Sequence, residues 1–313
     1  MNKHISKFVL ALGFFVAGVI SLNRVEDVSA GQVHLKVTPV SFEYDLDPGS
    51  SQNGTFIVSN KGDKTVYYNT KATPYYATDG KDGGIDVSYG KKSTHTQIAD
   101  WVTFESPTGQ IEPNSSIEVK FTINVPEDAP GGGQYAALMI SNSDDSPKES
   151  DGISISEIAN IGPVVYAKVS GDITTKGEIL SHNVDGFRFE PPISASSTVH
   201  NSGNVHAEAT YTLRVFPLFS SESIYNNEEK PASITVLPDS TRFYTVAWTT
   251  ENGAPSLGIF KVESEVKIFD EVSKIEKTVI ICPIWVLISV GAFVIALVFW
   301  IVFRVKSRKG ETS

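Results

Sequence analysis

The chain has 313 residues, 41% of them hydrophobic, and a formal net charge of −10 at pH 7. That length suffices for two ordinary domains, and the acidic balance argues against nucleic acid or an anionic membrane surface as ligand. The single cysteine, Cys282, leaves no disulfide to staple the fold, so stability must come from core burial.

Lys3 and Lys7 precede an apolar stretch, Phe8–Ile20, and Val28-Ser29-Ala30 then sets small residues where a signal peptidase reads. Residues 1–30 are expected to be a secretory leader removed after Ala30. Their apolar core is short for a bilayer span.

From Gly31 onward the predicted elements are nearly all strands. "VHLKV" (Val33–Val37), "TFIVS" (Thr55–Ser59), "IEVKFTINV" (Ile117–Val125), "YAALMIS" (Tyr135–Ser141) and "VVYAKV" (Val164–Val169) alternate with period two. Gly, Pro, Asn and Asp punctuate them roughly every ten residues, as in β-sandwiches. A first immunoglobulin-like sandwich is placed at 31–171, ending at the turn "SGD".

Within it, Pro74–Trp101 is a long insertion, "PYYATDGKDGGIDVSYGKKSTHTQIADW". Tyr75, Tyr76 and Tyr89 offer rings beside Asp79, Asp82, Lys91 and Lys92, a mixture that suits carbohydrate or peptide surfaces. The alternative is that the rings cover the sheet. The loop Asp79–Asp86 is acidic and glycine-rich but lacks the alternate-position oxygens of a calcium loop, so a solvated loop is expected there. Trp101, in "ADWVTF", is expected in a strand and in the core. "APGGGQY" puts a Gly-rich turn before Tyr135. That ring is expected to be buried against Gly131–Gly133, with its hydroxyl returned to the turn as in a tyrosine corner.

A second sandwich, 172–278, holds "ATYTLRVF" (Ala209–Phe216), "RFYTVAW" (Arg242–Trp248) and "FKVESEVKIF" (Phe260–Phe269). It repeats phrases of the first in the same order. Asn60-x-Gly62 matches Asn201-x-Gly203, "IEPNSS" (Ile111–Ser116) matches "VLPDST" (Val236–Thr241), and "GGQY" (Gly132–Tyr135) matches "LGIF" (Leu257–Phe260). Asn-x-Gly permits positive φ and is read as a hairpin turn, used once per domain. The expected architecture is all-β: two tandem immunoglobulin-like β-sandwich domains, followed by a single transmembrane helix. The second domain has no comparable insertion, so its edge strands are where a partner protein would dock.

Val279–Phe303 carries no charge. A helix rising about 1.5 Å per residue there crosses a hydrocarbon core about 30 Å thick. Trp285 and Trp300 sit near its ends as interfacial anchors, and Arg304, Lys306, Arg308 and Lys309 follow. The tail 304–313 is expected to be cytoplasmic and the sandwiches extracellular, giving a single-pass plasma-membrane protein. No LPxTG-type sorting signal precedes the run. Cys282, inside it, is expected to be a small membrane-compatible residue rather than a lipidation site.

No Gly-x-Ser-x-Gly elbow, no exported cysteine nucleophile and no His-Glu-x-x-His pattern occurs. Neither catalysis, nor a cofactor, nor a bound metal is expected. His200 and His206 flank the second Asn-x-Gly and could approach each other as a metal pair, but strand-edge surface histidines are the expectation.

"PVSFEYDLDPGSSQNGTFIVSNKGDKTV", "DWVTF", "IEPNSSIEVKFTINVPEDAPGGGQYAALMIS" and "VLPDSTRFYTVAW" with "LGIFKVESEVKIF" resemble the WxL-interacting protein family over nearly the whole exported region. The resemblance implies a leader, two immunoglobulin-like domains, one C-terminal span and a basic tail. It also implies a cell-wall role, with the N-terminal domain on peptidoglycan and the membrane-proximal domain on a WxL-type surface protein. The expected function is therefore a membrane-anchored protein holding wall polymer or a surface partner. The alternative is an adhesin whose ligand lies on another cell.

Overall fold

A computed structural model describes residues 34–76, 93–142 and 160–309. The first sandwich contains β1 (Leu35–Thr38), β2 (Ser41–Leu46), β3 (Ser51–Asn60), β4 (Val66–Pro74), β5 (Val102–Phe104), β6 (Thr108–Ile111), β7 (Ser116–Asn124), β8 (Gly132–Asn142), β9 (Asn160–Ile161) and β10 (Val164–Val169). One sheet runs β1-β3-β7-β5; the facing sheet runs β2-β10-β8-β4-β6, with β9 beside β8. Period-two alternation supplies the core: Phe56 and Val58 of β3, with Phe121 and Ile123 of β7, meet Leu138 and Ile140 of β8 and Val165 of β10. Each such side chain contributes about 1.5–3 kcal/mol on burial. A helical turn, Ile98–Trp101, leads into β5 and seats both of its terminal residues in this core. Trp101 is thus a core residue, but it closes a turn of helix rather than lying in a strand.

The second sandwich contains β11 (Gly177–Val184), β12 (Phe187–Arg188), β13 (Ile193–Asn201), β14 (Ala207–Pro217), β15 (Tyr225–Asn226), β16 (Ala232–Val236), β17 (Ser240–Trp248), β18 (Gly258–Ile268) and β19 (Glu271–Ile281). Its sheets are β11-β13-β17 and β12-β19-β18-β14-β15, with β16 also beside β14. The wiring repeats that of the first sandwich. In each, the opening strand joins one sheet (β1 on β3, β11 on β13), and the next strand joins the other sheet parallel to its last strand (β2 on β10, β12 on β19). This Greek-key pair of sheets is an immunoglobulin-like arrangement. The chain is all-β, two such sandwiches in series, followed by one long apolar helix.

The Asn-x-Gly phrases are not hairpins. β3 and β4 belong to different sheets, as do β13 and β14, so each phrase carries the chain across the sandwich. Neither Gly62 nor Gly203 adopts positive φ. Instead the asparagine side chain is buried and holds the corner. Asn201 Oδ1 accepts from Gly203 N–H at 2.9 Å, and its Nδ2 donates to Val205 O at 2.8 Å and Val236 O at 2.9 Å. Asn60 makes the same set: Gly62 N–H at 2.9 Å, Lys64 O at 2.7 Å and Ile111 O at 3.1 Å. The glycine at 203 is required by space, since a Cβ there would lie 2.5 Å from Thr174 O. Positive φ falls in the other phrase, at Asn114 and Asp239, both at 54°. Asn and Asp tolerate that conformation better than other residues bearing a Cβ.

The charge-free run from Val279 divides in two. Val279–Ile281 completes β19, in register with Gly258–Phe260 of β18, and Val279 and Ile281 are core residues. The second sandwich therefore extends three residues past 278. The helix spans Ile284–Lys309, and Ile284–Arg304 is long and apolar enough to cross a membrane. Alternation beside a paired strand decides the division, because Val279 and Ile281 point inward while Ile280 points out.

Candidate functional site: the cleft between the sandwiches

Strand β8 reads Gly-Gly-Gln-Tyr-Ala-Ala-Leu-Met-Ile, and every residue from Gly132 to Ile140 is buried. Alternate side chains serve two different cores. Ala136, Leu138 and Ile140 belong to the first sandwich, while Tyr135, Ala137 and Met139 join Tyr75 and Leu237 in a cluster between the sandwiches. Tyr166 completes it, edge-on to Tyr75 at 5.9 Å and to Tyr135 at 6.0 Å. Leu237 comes from the turn between β16 and β17, so both sandwiches contribute.

The connection is also hydrogen-bonded. Gly133 N–H donates to Asn204 O at 2.6 Å, and Asn204 Nδ2 donates to Asp172 O at 2.7 Å. Asn204 Oδ1 accepts from Thr174 N–H at 2.7 Å. The corner that begins at Asn201 thus ends in the joint between the domains. Glycine is needed at 132, where φ is 121° and a Cβ would meet Asn204 O at 2.9 Å.

Tyr135 is 1% exposed and sits on Gly133, where a Cβ would collide with its hydroxyl. The burial agrees with the sequence reading, but the hydroxyl does not return to its own turn. It pairs with His206 Nδ1 at 3.3 Å, across the junction. Burial raises the Tyr135 phenol well above its ordinary range. Burial also lowers the His206 imidazole, against the opposing pull of Glu43 and Asp45. His206 is a junction residue, not a surface one. His200 instead pairs with Thr241 Oγ1 at 3.1 Å. Among the described residues no group of three or more His, Cys, Asp or Glu is placed to hold a metal ion.

Beside this cluster lies a cleft of about 270 Å³, lined by Tyr75, Tyr76, Ser93–Thr96, Tyr135 and Leu237–Asp239. The wall Ser93–Thr96 is held by β8. Tyr135 N–H donates to His95 O at 2.8 Å, His95 Nδ1 donates to Gly133 O at 3.0 Å, and Gln134 Nε2 donates to Thr94 O at 2.6 Å. Thr96 Oγ1 accepts from Ser93 N–H at 2.8 Å and closes the turn. The groups gathered here are hydroxyls, an imidazole, a carboxylate and a ring. Ser93, His95 and Asp239 are the residue types of a catalytic triad, but His95 Nδ1 is taken by Gly133 O and Ser93 Oγ accepts from the His95 backbone N–H, so the hydroxyl and the imidazole face backbone groups.

Of the residues singled out in the insertion, Tyr75 and Tyr76 reach this cleft. Tyr75 is 3% exposed, with its hydroxyl on that of Tyr166 at 3.3 Å, and burial raises its phenol strongly. Its ring is a wall of the junction and has no free face. Tyr76 is half-buried at the cleft. Asp79, Asp82, Tyr89, Lys91 and Lys92, and the whole Asp79–Asp86 loop, lie outside the described residues. Sequence reasoning missed His95, Leu237 and Asp239. The signal for Asp239 lies in "VLPDST", which the sequence by itself shows only as the repeat of "IEPNSS".

No protein-family model matches the chain, and no curated protein matches it in sequence. The resemblance to WxL-interacting proteins therefore rests on the shared phrases alone. Among solved structures, the chain is similar to the E. coli chaperone DraB, with 11% identity, 78% of this chain and 96% of that one covered, and a TM-score of 0.37. It is similar to the class 5 fimbriae chaperone CfaA at 12% identity, with 78% and 99% covered and a TM-score of 0.36. The Pseudomonas aeruginosa CupB2 chaperone gives 11% identity, 77% and 99% covered, and a TM-score of 0.33. Likenesses this distant carry no inference about what the chain does.

Proposed function

We propose that this chain is a non-enzymatic, membrane-anchored surface protein that binds cell-wall polymer, peptidoglycan first, at the cleft between its sandwiches. The reading includes a leader at 1–30, two exported sandwiches at 31–171 and from 172 to the end of β19, and a cytoplasmic basic tail. The observation that carries it is the make-up of the cleft at the root of the insertion. Tyr76, Ser93, Thr94, His95 and Asp239 line one space of about 270 Å³. Glycan hydroxyls and peptide amides are bound by such donors and acceptors beside a ring. Asp79, Asp82, Tyr89, Lys91 and Lys92 would extend the same surface along the insertion. A surface protein of the WxL type is assigned to the edge strands of the second sandwich. Weak contacts on many chains would add along a polymer by avidity.

The test is co-sedimentation of the full chain, in detergent micelles, with purified sacculi. Tyr76→Ala with Asp239→Asn should weaken retention about tenfold, a loss of about 1.4 kcal/mol. Asparagine keeps the positive φ at 239. Undiminished retention overturns the assignment, as does binding to intact foreign cells without binding to sacculi, which is the adhesin outcome.

A further inference from the structure

At the end of the second sandwich nearest the helix, four exposed side chains form one cross-strand row. Phe187 of β12 is in register with Ile280 of β19, and Ile280 with Ile259 of β18. The chain leaving β14 continues the row, with Leu218 N–H donating to Ile259 O at 3.2 Å. Phe189 packs edge-on to Phe187 at 5.2 Å, and Phe219, after Leu218, is 97% exposed. Their strand neighbours Phe260, Val279 and Ile281 fill the core, so the row lies on the outer face by strict alternation. A contiguous group of this size marks a contact surface rather than scattered exposure.

The same face turns polar away from the helix. In the next outward row Lys261 lies over the Phe216 ring at 4.6 Å. Beyond it Arg214 pairs with Glu263 at 2.6 Å and Lys274 with Glu265 at 2.7 Å. Rows two residues apart are separated by about 7 Å. One apolar row, then a lysine resting on a ring, then ion pairs, is the polarity profile of a surface bedded in a bilayer interface.

Position identifies the occupant. Only Cys282 and Pro283 separate β19 from the helix, and the chain from Ile280 to Ile284 reaches at most about 14 Å. With the helix in a bilayer and Trp285 at its outer boundary, the row cannot stand clear of the headgroups. We propose that the second sandwich beds this row, Phe187, Ile280, Ile259 and Leu218 with Phe189 and Phe219, into the leaflet its own helix enters. The force is apolar burial, so no anionic lipid is required and the acidic net charge is no obstacle. Such contact restrains swing about Cys282–Pro283 and sets the direction in which the cleft faces. The inference rests on the helix being a membrane span, as the proposed function does.

The experiment places an environment-sensitive nitrobenzoxadiazole probe on Phe219→Cys in the full chain, with Cys282→Ser, reconstituted in phosphatidylcholine vesicles. The same probe at Lys267→Cys, exposed at the far end of β18, and at Phe293→Cys within the helix gives the references. Acyl-chain nitroxide lipids should quench the Phe219 probe several times more than the Lys267 probe, and aqueous iodide the reverse. Iodide quenching at Phe219 equal to that at Lys267 overturns the proposal. Shielding at Phe219 from both quenchers also overturns it, since a protein then covers the row. Loss of lipid quenching at Phe293 would instead remove the span itself.

Discussion

Asn201 donates from Nδ2 to the carbonyl of Val236 across 2.9 Å, and Asn60 repeats the bond to Ile111 at 3.1 Å. Each bond joins the first repeated phrase of its domain to the residue that opens the second. The sequence separations, 35 and 51 residues, differ by the surplus the first sandwich carries between β4 and β6. Two distant phrases are therefore one structural device, a buried amide that ties a sheet-crossing corner to the turn before β7 or β17.

Removing that amide should unfold its own domain first. Asn201→Ala leaves Gly203 N–H, Val205 O and Val236 O without their buried partner. Unmet buried groups cost about 1–3 kcal/mol each, so a loss of about 3 kcal/mol or more is expected in the second sandwich. Asn60→Ala should do the same in the first. Asn201→Asp keeps the acceptor but sets a buried carboxylate against the carbonyls of Val205 and Val236, and should cost at least as much as Ala. Urea unfolding, with hydrogen exchange to locate the loss, measures each.

The junction should couple the two sandwiches. Tyr135→Ala removes a ring shared by β8, Tyr166 and His206, at a cost of about 3–5 kcal/mol. Calorimetry should then resolve two transitions further apart than in the parent chain. Tyr135→Phe loses only the 3.3 Å bond to His206, about 1 kcal/mol.

Acid should loosen the same junction through His206. Its folded pKa lies below the ordinary 6.5 because burial disfavours the cation. The unfolded chain therefore binds more protons in the window between the two values. Stability rises with pH there, is complete above about 6.5, and is lost as pH falls toward the depressed folded value. His182, between Ser264 and Ser273 in the second sandwich, is lowered by burial too and shifts stability in the same direction. Melting temperature against pH for His206→Asn should be flatter than for the parent between pH 7 and 5. Parallel curves would exclude His206 as the titrating group.

Truncation separates strand from helix. A chain ending at Pro283 should fold and need no detergent. One ending at Thr278 loses Val279 and Ile281 from the core, at about 1.5–3 kcal/mol for each side chain. Equal melting temperatures for the two would place the end of the sandwich before Val279.

Much of the fold was legible. The eight quoted strand phrases all overlap observed strands, because a half-buried strand writes its faces in alternate letters. The repeated Asn-x-Gly and the pair "IEPNSS" and "VLPDST" pointed to paired domains, and the glycines before Tyr135 pointed to its burial. Strand β13 was less legible. Its inward positions include Ala195 and Ser197, small and polar enough to blur the alternation.

The sequence by itself determined the all-β class, the doubled unit and the apolar C-terminal helix, since each is written in local periodicity and composition. Tertiary structure alone decided the rest. Whether Asn-x-Gly turns back within a sheet or crosses to its partner depends on where the next strand finds its hydrogen bonds. Whether Tyr75 shows a face or fills a wall depends on Tyr166 and Leu237, which stand far along the chain. Whether Val279 belongs to membrane or core depends on its pairing with Phe260. A single sequence records each residue's preference for leaving water, but not which distant surface receives it.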